Sequence, residues 1–155
     1  MMAQHFVPGR QHRRQFSSRT QAHQLARRYW VCEACNCLHP DTKPTRCDEC
    51  GSARFHYFQS GKEAARYQGL QLLERAGEVR ALQVHPRYPI CVTTPEGLQV
   101  EVAKYVADFA YELASGARII EDVKASNRGQ SLDPVFKLKR RLVEAQYGVR
   151  IQCYV

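Results

Sequence analysis

Apolar residues crowd residues 98–113 and return across 117–124, with Ala114-Ser115-Gly116 between them. The pattern predicts a long β-hairpin closed by a three-residue loop, with Gly116 in the left-handed position. In that register Leu113 faces Ala117 and Asp108 faces Asp122. Side chains alternate along a strand, so Asp122 and Lys124 share one face while Glu121 and Val123 take the other. Upstream, Ser60-Gly-Lys-Glu63 reads as a capping box that opens a helix running to about Ala76, and Gly77 supplies its stop. Ala64, Tyr67, Leu70 and Leu73 recur at helical spacing and form its expected buried stripe. Residues 79–84 read as a strand, and His85-Pro86 with Pro89 as an extended connection. Residues 125–133 read as a polar loop. Pro134 suits the first turn of a second helix ending at Tyr147 before Gly148, and residues 149–155 close the chain as a strand. The order from residue 58 onward is αβββαβ.

The hairpin is apolar except where Asp108, Asp122 and Lys124 fall. Like charges opposite each other destabilise a sheet. An unpaired carboxylate between Ala107 and Phe109 is costly unless something compensates it. A divalent cation does so, and two carboxylates with the Val123 carbonyl suit Mg²⁺ or Mn²⁺. The competing reading is a surface hairpin with a cross-strand charge pair. Glu63 is a candidate third acid, although its capping role explains it equally well. Glu121 points away on a regular strand, so Glu121→Gln is expected to be mild.

Four of the seven cysteines fall as Cys32-x-x-Cys35 and Cys47-x-x-Cys50, with eleven residues between the pairs. Such pairs aim four thiolates at one point and predict a structural Zn²⁺ site in a ribbon spanning residues 31–57. Cys37 and His39 are read as bystanders, and Cys91 and Cys153 as core residues. The aromatic run 53–58 is expected to pack rather than to stack on bases.

Net charge is +8, yet residues 1–30 hold six arginines and no acid, which leaves +2 for the remainder. Arg10, Arg13 and Arg14 belong to this basic arm. Such arms bind nucleic-acid phosphates, or remain solvated tails, or serve as transit peptides. No apolar run approaches a membrane span, and the start lacks the apolar core of a secretory signal.

The segments Ser60-Gly-Lys-Glu-Ala-Ala-Arg-Tyr67, Ala76-Gly-Glu-Val79, His85-Pro-Arg-Tyr88, Tyr105-Val-Ala-Asp-Phe109, Glu121-Asp-Val-Lys124 and Phe136-Lys-Leu-Lys139 follow one another in order. Together they resemble a group of small, mostly phage-encoded proteins of the PD-(D/E)XK nuclease superfamily. The group more often has Gln where this chain has His85, and Ala107 stands where the first motif would carry Pro. The resemblance implies a restriction-endonuclease-like α/β fold over residues 58–155, after a basic arm (1–30) and the ribbon (31–57). It implies metal-linked acids at Asp108, Asp122 and Glu63, a catalytic Lys124, and a phosphate contact at Lys137 or Lys139. The expected activity is a Mg²⁺- or Mn²⁺-dependent endonuclease acting on branched DNA, similar to Holliday junction resolvases. Its expected partners are DNA and a second copy of the chain, in the cytoplasm of a bacterial host. His85 receives no catalytic role. The rival reading is a non-catalytic zinc-ribbon adaptor that binds nucleic acid or assembles a complex.

Overall fold

The computed structural model describes residues 28–124 and 133–155, so Arg10, Arg13 and Arg14 lie outside the described residues. Among the described residues the fold is mixed α/β, with two helices and three sheets. Strands β1 (Tyr29–Cys32), β2 (Leu38–Pro40) and β3 (Phe55–Phe58) form one antiparallel sheet in the order β2-β1-β3. Helix α1 (Gly61–Arg75) follows, then β4 (Val79–Val84), β5 (Arg87–Thr93), β6 (Gln99–Val106), β7 (Phe109–Leu113) and β8 (Arg118–Val123). Helix α2 (Pro134–Tyr147) and β9 (Ile151–Tyr154) complete the chain. The central sheet has the order β4-β7-β8-β9, and β9 is parallel to β8. No helix among the described residues is long and apolar enough to cross a membrane.

Both helices begin and end on the residues their sequences mark. The Ser60 hydroxyl accepts from the Glu63 amide at 3.2 Å, and the Glu63 carboxylate reaches back to the Gln59 amide at 3.3 Å. At the other end the Gly77 amide donates to the Glu74 carbonyl and the Glu78 amide to the Leu73 carbonyl, a Schellman pair around Gly77 at φ +79°. Helix α2 is capped by Asp133 and stopped by Gly148 in the left-handed region.

Alternation along β7 and β8 divides the core in two. Phe109 and Tyr111 pack with Ala64, Tyr67 and Leu70 of α1 on one face of the sheet. Ala110 and Ile120 pack with Val143 of α2 on the other, alongside Tyr88, Ile90 and Tyr105. Val31 and Phe58 of the first sheet are fully buried in the α1-side core. The small N-terminal module is therefore fused to α1 through shared apolar packing.

Several expectations need correction. Residues 98–113 are not one strand. The chain breaks at Ala107-Asp108, and β6 leaves the central sheet to pair with β5. The start of β5, which His85-Pro86 and Pro89 mark as an extended connection, is instead paired with β6. Pro89 is accommodated where its carbonyl accepts from Gln146 Nε2 and Tyr147 Oη of α2, as an edge strand allows. Leu73 is exposed, and Gln71 takes its place in the buried stripe of α1. Its side-chain nitrogen donates to the Glu33 carbonyl and the Tyr67 hydroxyl, while its Oε1 is buried with no partner. On α2, Leu138 and Leu142 are exposed, and Val143 with Phe136 makes the core contact. Cys153 is exposed and Cys91 half-buried, so neither is a core residue. Each lies on a strand whose burial fades along its length.

Candidate functional site

The first cluster is the cysteine quartet. Cys32 ends β1, Cys35 sits in the turn that follows, and Cys47 and Cys50 flank a second turn closed by the Gly51 amide on the Cys47 carbonyl. All four sulfurs lie within 4.8 Å of one another. Cys32 and Cys50 approach to 3.5 Å, Cys35 and Cys47 to 3.4 Å, and none is in a disulfide. Tetrahedral Zn–S bonds of about 2.3 Å place sulfurs about 3.8 Å apart, so the quartet fits a metal such as zinc. Cys37 and His39 do not join the quartet.

The first turn of this module is fastened to α1. Asn36 Nδ2 donates to the Gln68 carbonyl at 3.0 Å, and Gln68 Nε2 returns a bond to the Asn36 carbonyl at 2.8 Å. Arg75 adds a bond to the Ala34 carbonyl. Asn36 itself has φ +69°, a conformation that Asn tolerates better than most residues.

The second cluster forms where β7 begins. The Asp108 amide donates to the Glu121 carbonyl, although Glu121 already pairs with Phe109. Two residues of one strand thus meet one of its neighbour, a bulge that re-aims the local side chains. Asp108 Oδ2 accepts from the Val123 amide at 2.6 Å. The carboxylates of Asp108 and Glu63 and a ring nitrogen of His85 all lie within 4.8 Å of one another. Helix α1 delivers Glu63 from its first turn. The connection between β4 and β5 delivers His85, whose amide donates to the Asp108 carbonyl at 3.0 Å. His85 has φ +51°, a strained conformation for a side chain of its size.

Asp122 follows Glu121, the partner of Phe109, so the β7–β8 register carries it alongside Asp108. Its grouping is with Lys124, whose ammonium lies 3.2 Å from Oδ1, while the closest metal-sized group around Asp108 contains Glu63 and His85. Asp122 is only 5% exposed, and its Oδ2 has no hydrogen-bond partner. Burial pushes both Asp108 and Asp122 above the usual carboxylate range. The Glu63 charge adds to the rise in both. Lys124 and, at Asp108, the bond from the Val123 amide oppose it.

Lys124 stands between two clefts. One of about 470 Å³ is lined by Lys104, Asp122, Lys124, Phe136 and Lys139. The other, about 390 Å³, is lined by Ser60, Lys62, Glu63, Val123 and Lys124 at the start of α1. The Lys124 ammonium also lies 4.2 Å from the centre of the Phe136 ring. Of the two α2 lysines singled out from the sequence, Lys139 lines the larger cleft and Lys137 is exposed.

Glu121 has a different role from the one its alternation suggested. It faces away from Asp122, as expected, but it is 2% exposed and held by three bonds. Arg66 Nε and Nη2 each donate to it at 2.7 Å, and the Tyr111 hydroxyl donates at 2.9 Å. Arg66 in turn stacks on Tyr154 of β9. This network ties α1, β7, β8 and β9 together beneath the site. Its signal in the sequence, an acid in an apolar strand and an Arg on α1, was available only once both were known to face each other.

No curated protein and no solved structure matches the chain. A family described as "Protein of unknown function (DUF1064)" matches residues 53–154, from β3 through β9. The match takes in Glu63, His85, Asp108, Asp122 and Lys124 and leaves out the four cysteines. Since it covers well over half of the 155 residues and the whole second cluster, the chain belongs to this family of unknown function.

Proposed function

We propose that the chain is a metal-dependent endodeoxyribonuclease with a restriction-endonuclease-like core, selective for branched DNA. One observation carries the reading. Half-buried Asp108 and buried Asp122, both within the field of Glu63, accompany Lys124, which lines one cleft with Lys104 and Lys139 and another with Lys62. An orphaned, buried carboxylate oxygen at Asp122 is costly without a counter-charge. An all-oxygen set from Asp108, Asp122 and Glu63 fits Mg²⁺ or Mn²⁺. When bound, the cation supplies Lewis acidity and neutralises charge that builds on the scissile phosphate.

The chain's own residues do the rest. Lys124 is placed to orient the attacking water or to donate to a phosphate oxygen as negative charge develops. Lys104 and Lys139 line the same cleft and bind flanking phosphates. The Arg-rich arm and the zinc ribbon hold the duplex, and a second copy of the chain cuts the opposing strand. A role in phage recombination, replication or packaging within a bacterial cytoplasm accords with this activity.

The test is a panel of labelled branched and linear DNAs incubated with Mg²⁺, with Mn²⁺ and with EDTA. Cleavage that needs the cation and is lost in Asp122→Asn supports the proposal. Full activity in Asp122→Asn sinks it. Tight DNA binding without cleavage under any condition favours the rival zinc-ribbon adaptor.

A further inference from the structure

His85 enters none of the roles above, yet its ring shares a metal-sized space with Glu63 and Asp108. We infer that His85 is a nitrogen ligand in the cation site, and that it makes the site prefer Mn²⁺ to Mg²⁺. This rests on the proposed catalytic site and specifies which cation that site takes.

Three observations support it. The first is spacing. Two donors on opposite sides of a cation with bonds of about 2.1 Å stand about 4.2 Å apart, and neighbouring donors stand closer. The ligand atoms of Glu63, His85 and Asp108 all fall within 4.8 Å of one another, so one ion reaches all three after small side-chain rotations. The second is the lack of a competing explanation for the ring. Among the described residues the His85 side chain makes no hydrogen bond and no ion pair; its one ring contact is with Phe58, at 5.7 Å between centroids. An imidazole beside two carboxylates that bonds to neither is poised for a shared third body. The third is its independent anchorage. The His85 amide is tied to the Asp108 carbonyl, and the ring is carried on a left-handed residue before Pro86.

The chemistry then selects the ion. Mg²⁺ is a hard cation that takes oxygen ligands and dehydrates reluctantly. Imidazole suits the transition metals, and a mixed nitrogen and carboxylate set raises the affinity for Mn²⁺ while adding little for Mg²⁺. A side-chain amide at position 85 offers oxygen instead and removes the discrimination.

The experiment measures cation binding to the full-length chain with its zinc in place and without DNA. Mn²⁺ affinity is followed by continuous-wave electron paramagnetic resonance, and Mg²⁺ affinity by competition. Wild type is expected to bind Mn²⁺ at least about tenfold more tightly than Mg²⁺, and His85→Gln to lose most of that ratio through weaker Mn²⁺ binding. Pulsed resonance on the Mn²⁺-loaded wild type should show modulation from a directly bound ¹⁴N, absent in His85→Gln. His85→Asn, which tolerates the left-handed backbone, serves as a second variant and should behave like His85→Gln. Absence of ¹⁴N modulation in wild type, or an unchanged Mn²⁺ affinity in both variants, overturns the inference. Cleavage is not the readout, so the two readings fail separately. A Mg²⁺-active nuclease indifferent to His85 refutes only the ligand, and a nitrogen-bound Mn²⁺ site without cleavage refutes only the nuclease.

Discussion

Asp122 is a carboxylate that the fold holds at a cost. Burial raises its pKa, and Lys124 offsets only part of the penalty. A group with a raised folded-state pKa binds more protons in the folded than in the unfolded chain. Its burden is absent below the ordinary carboxylate range and grows as pH rises through the folded pKa. Asp122→Asn should therefore raise the melting temperature at neutral pH in metal-free buffer, with the gain shrinking as pH falls toward the carboxylate range. Thermal unfolding at several pH values checks this, and a lower melting temperature at neutral pH would contradict it. Glu121→Gln should act in the opposite sense. The sequence suggested a mild effect, but Glu121 is buried under a bidentate Arg66. Removing one partner of a buried pair costs roughly 3–5 kcal/mol. Denaturant titration should show a loss of that order, while Mn²⁺ binding to the refolded protein persists. The pair of adjacent acids was legible in the sequence, and so was the face each would take. That one serves the candidate site and the other a structural network was not, because Arg66 lies 55 residues away.

At the scale of elements, the capping signals were read almost without error because they are local. Ser60, Gly77, Pro134 and Gly148 each act on backbone groups within one helical turn. The strands were read less well. A continuous apolar pattern hid the break at Ala107-Asp108, since period-two alternation does not reveal where a bulge will fall. The cysteine quartet was visible from spacing alone, but the attachment of its module to α1 was not. Val31 and Phe58 lie in the same core as Tyr67 and Phe109. The protein as purified should carry one zinc per chain by elemental analysis. Removing it with a strong chelator should lower the melting temperature of the whole chain and raise amide exchange along α1 around Gln68 and Gln71. Exchange confined to residues 29–58 would show instead that the ribbon unfolds by itself.

For the whole molecule, charge is the dominant feature. Six arginines fall in residues 1–30, while the remainder carries only +2. Phosphate contacts release counterions, each adding about one unit to the slope of log affinity against log salt. Deleting residues 1–28 should therefore reduce that slope by several units on duplex DNA, with cation binding at Glu63 and Asp108 unchanged. An unchanged slope would assign the DNA contacts to the clefts beside Lys104, Lys124 and Lys139 alone.

Short stretches of the chain specify the helices and their ends, the four clustered thiols, the register of the β7–β8 turn and the identity of the acids. These follow from short-range rules: capping, turn chemistry, cysteine spacing and alternation. Tertiary structure alone decided which of those acids meet. The pairing of β4 with β7 and the packing of α1 brought Asp108 together with Glu63 and with His85, a residue 23 positions earlier in the chain. Tertiary structure also set Glu121 against Arg66 and buried the ribbon's apolar edge on α1. Such contacts depend on how strands and helices are stacked, and no local pattern encodes the distance between residues that lie far apart in the chain.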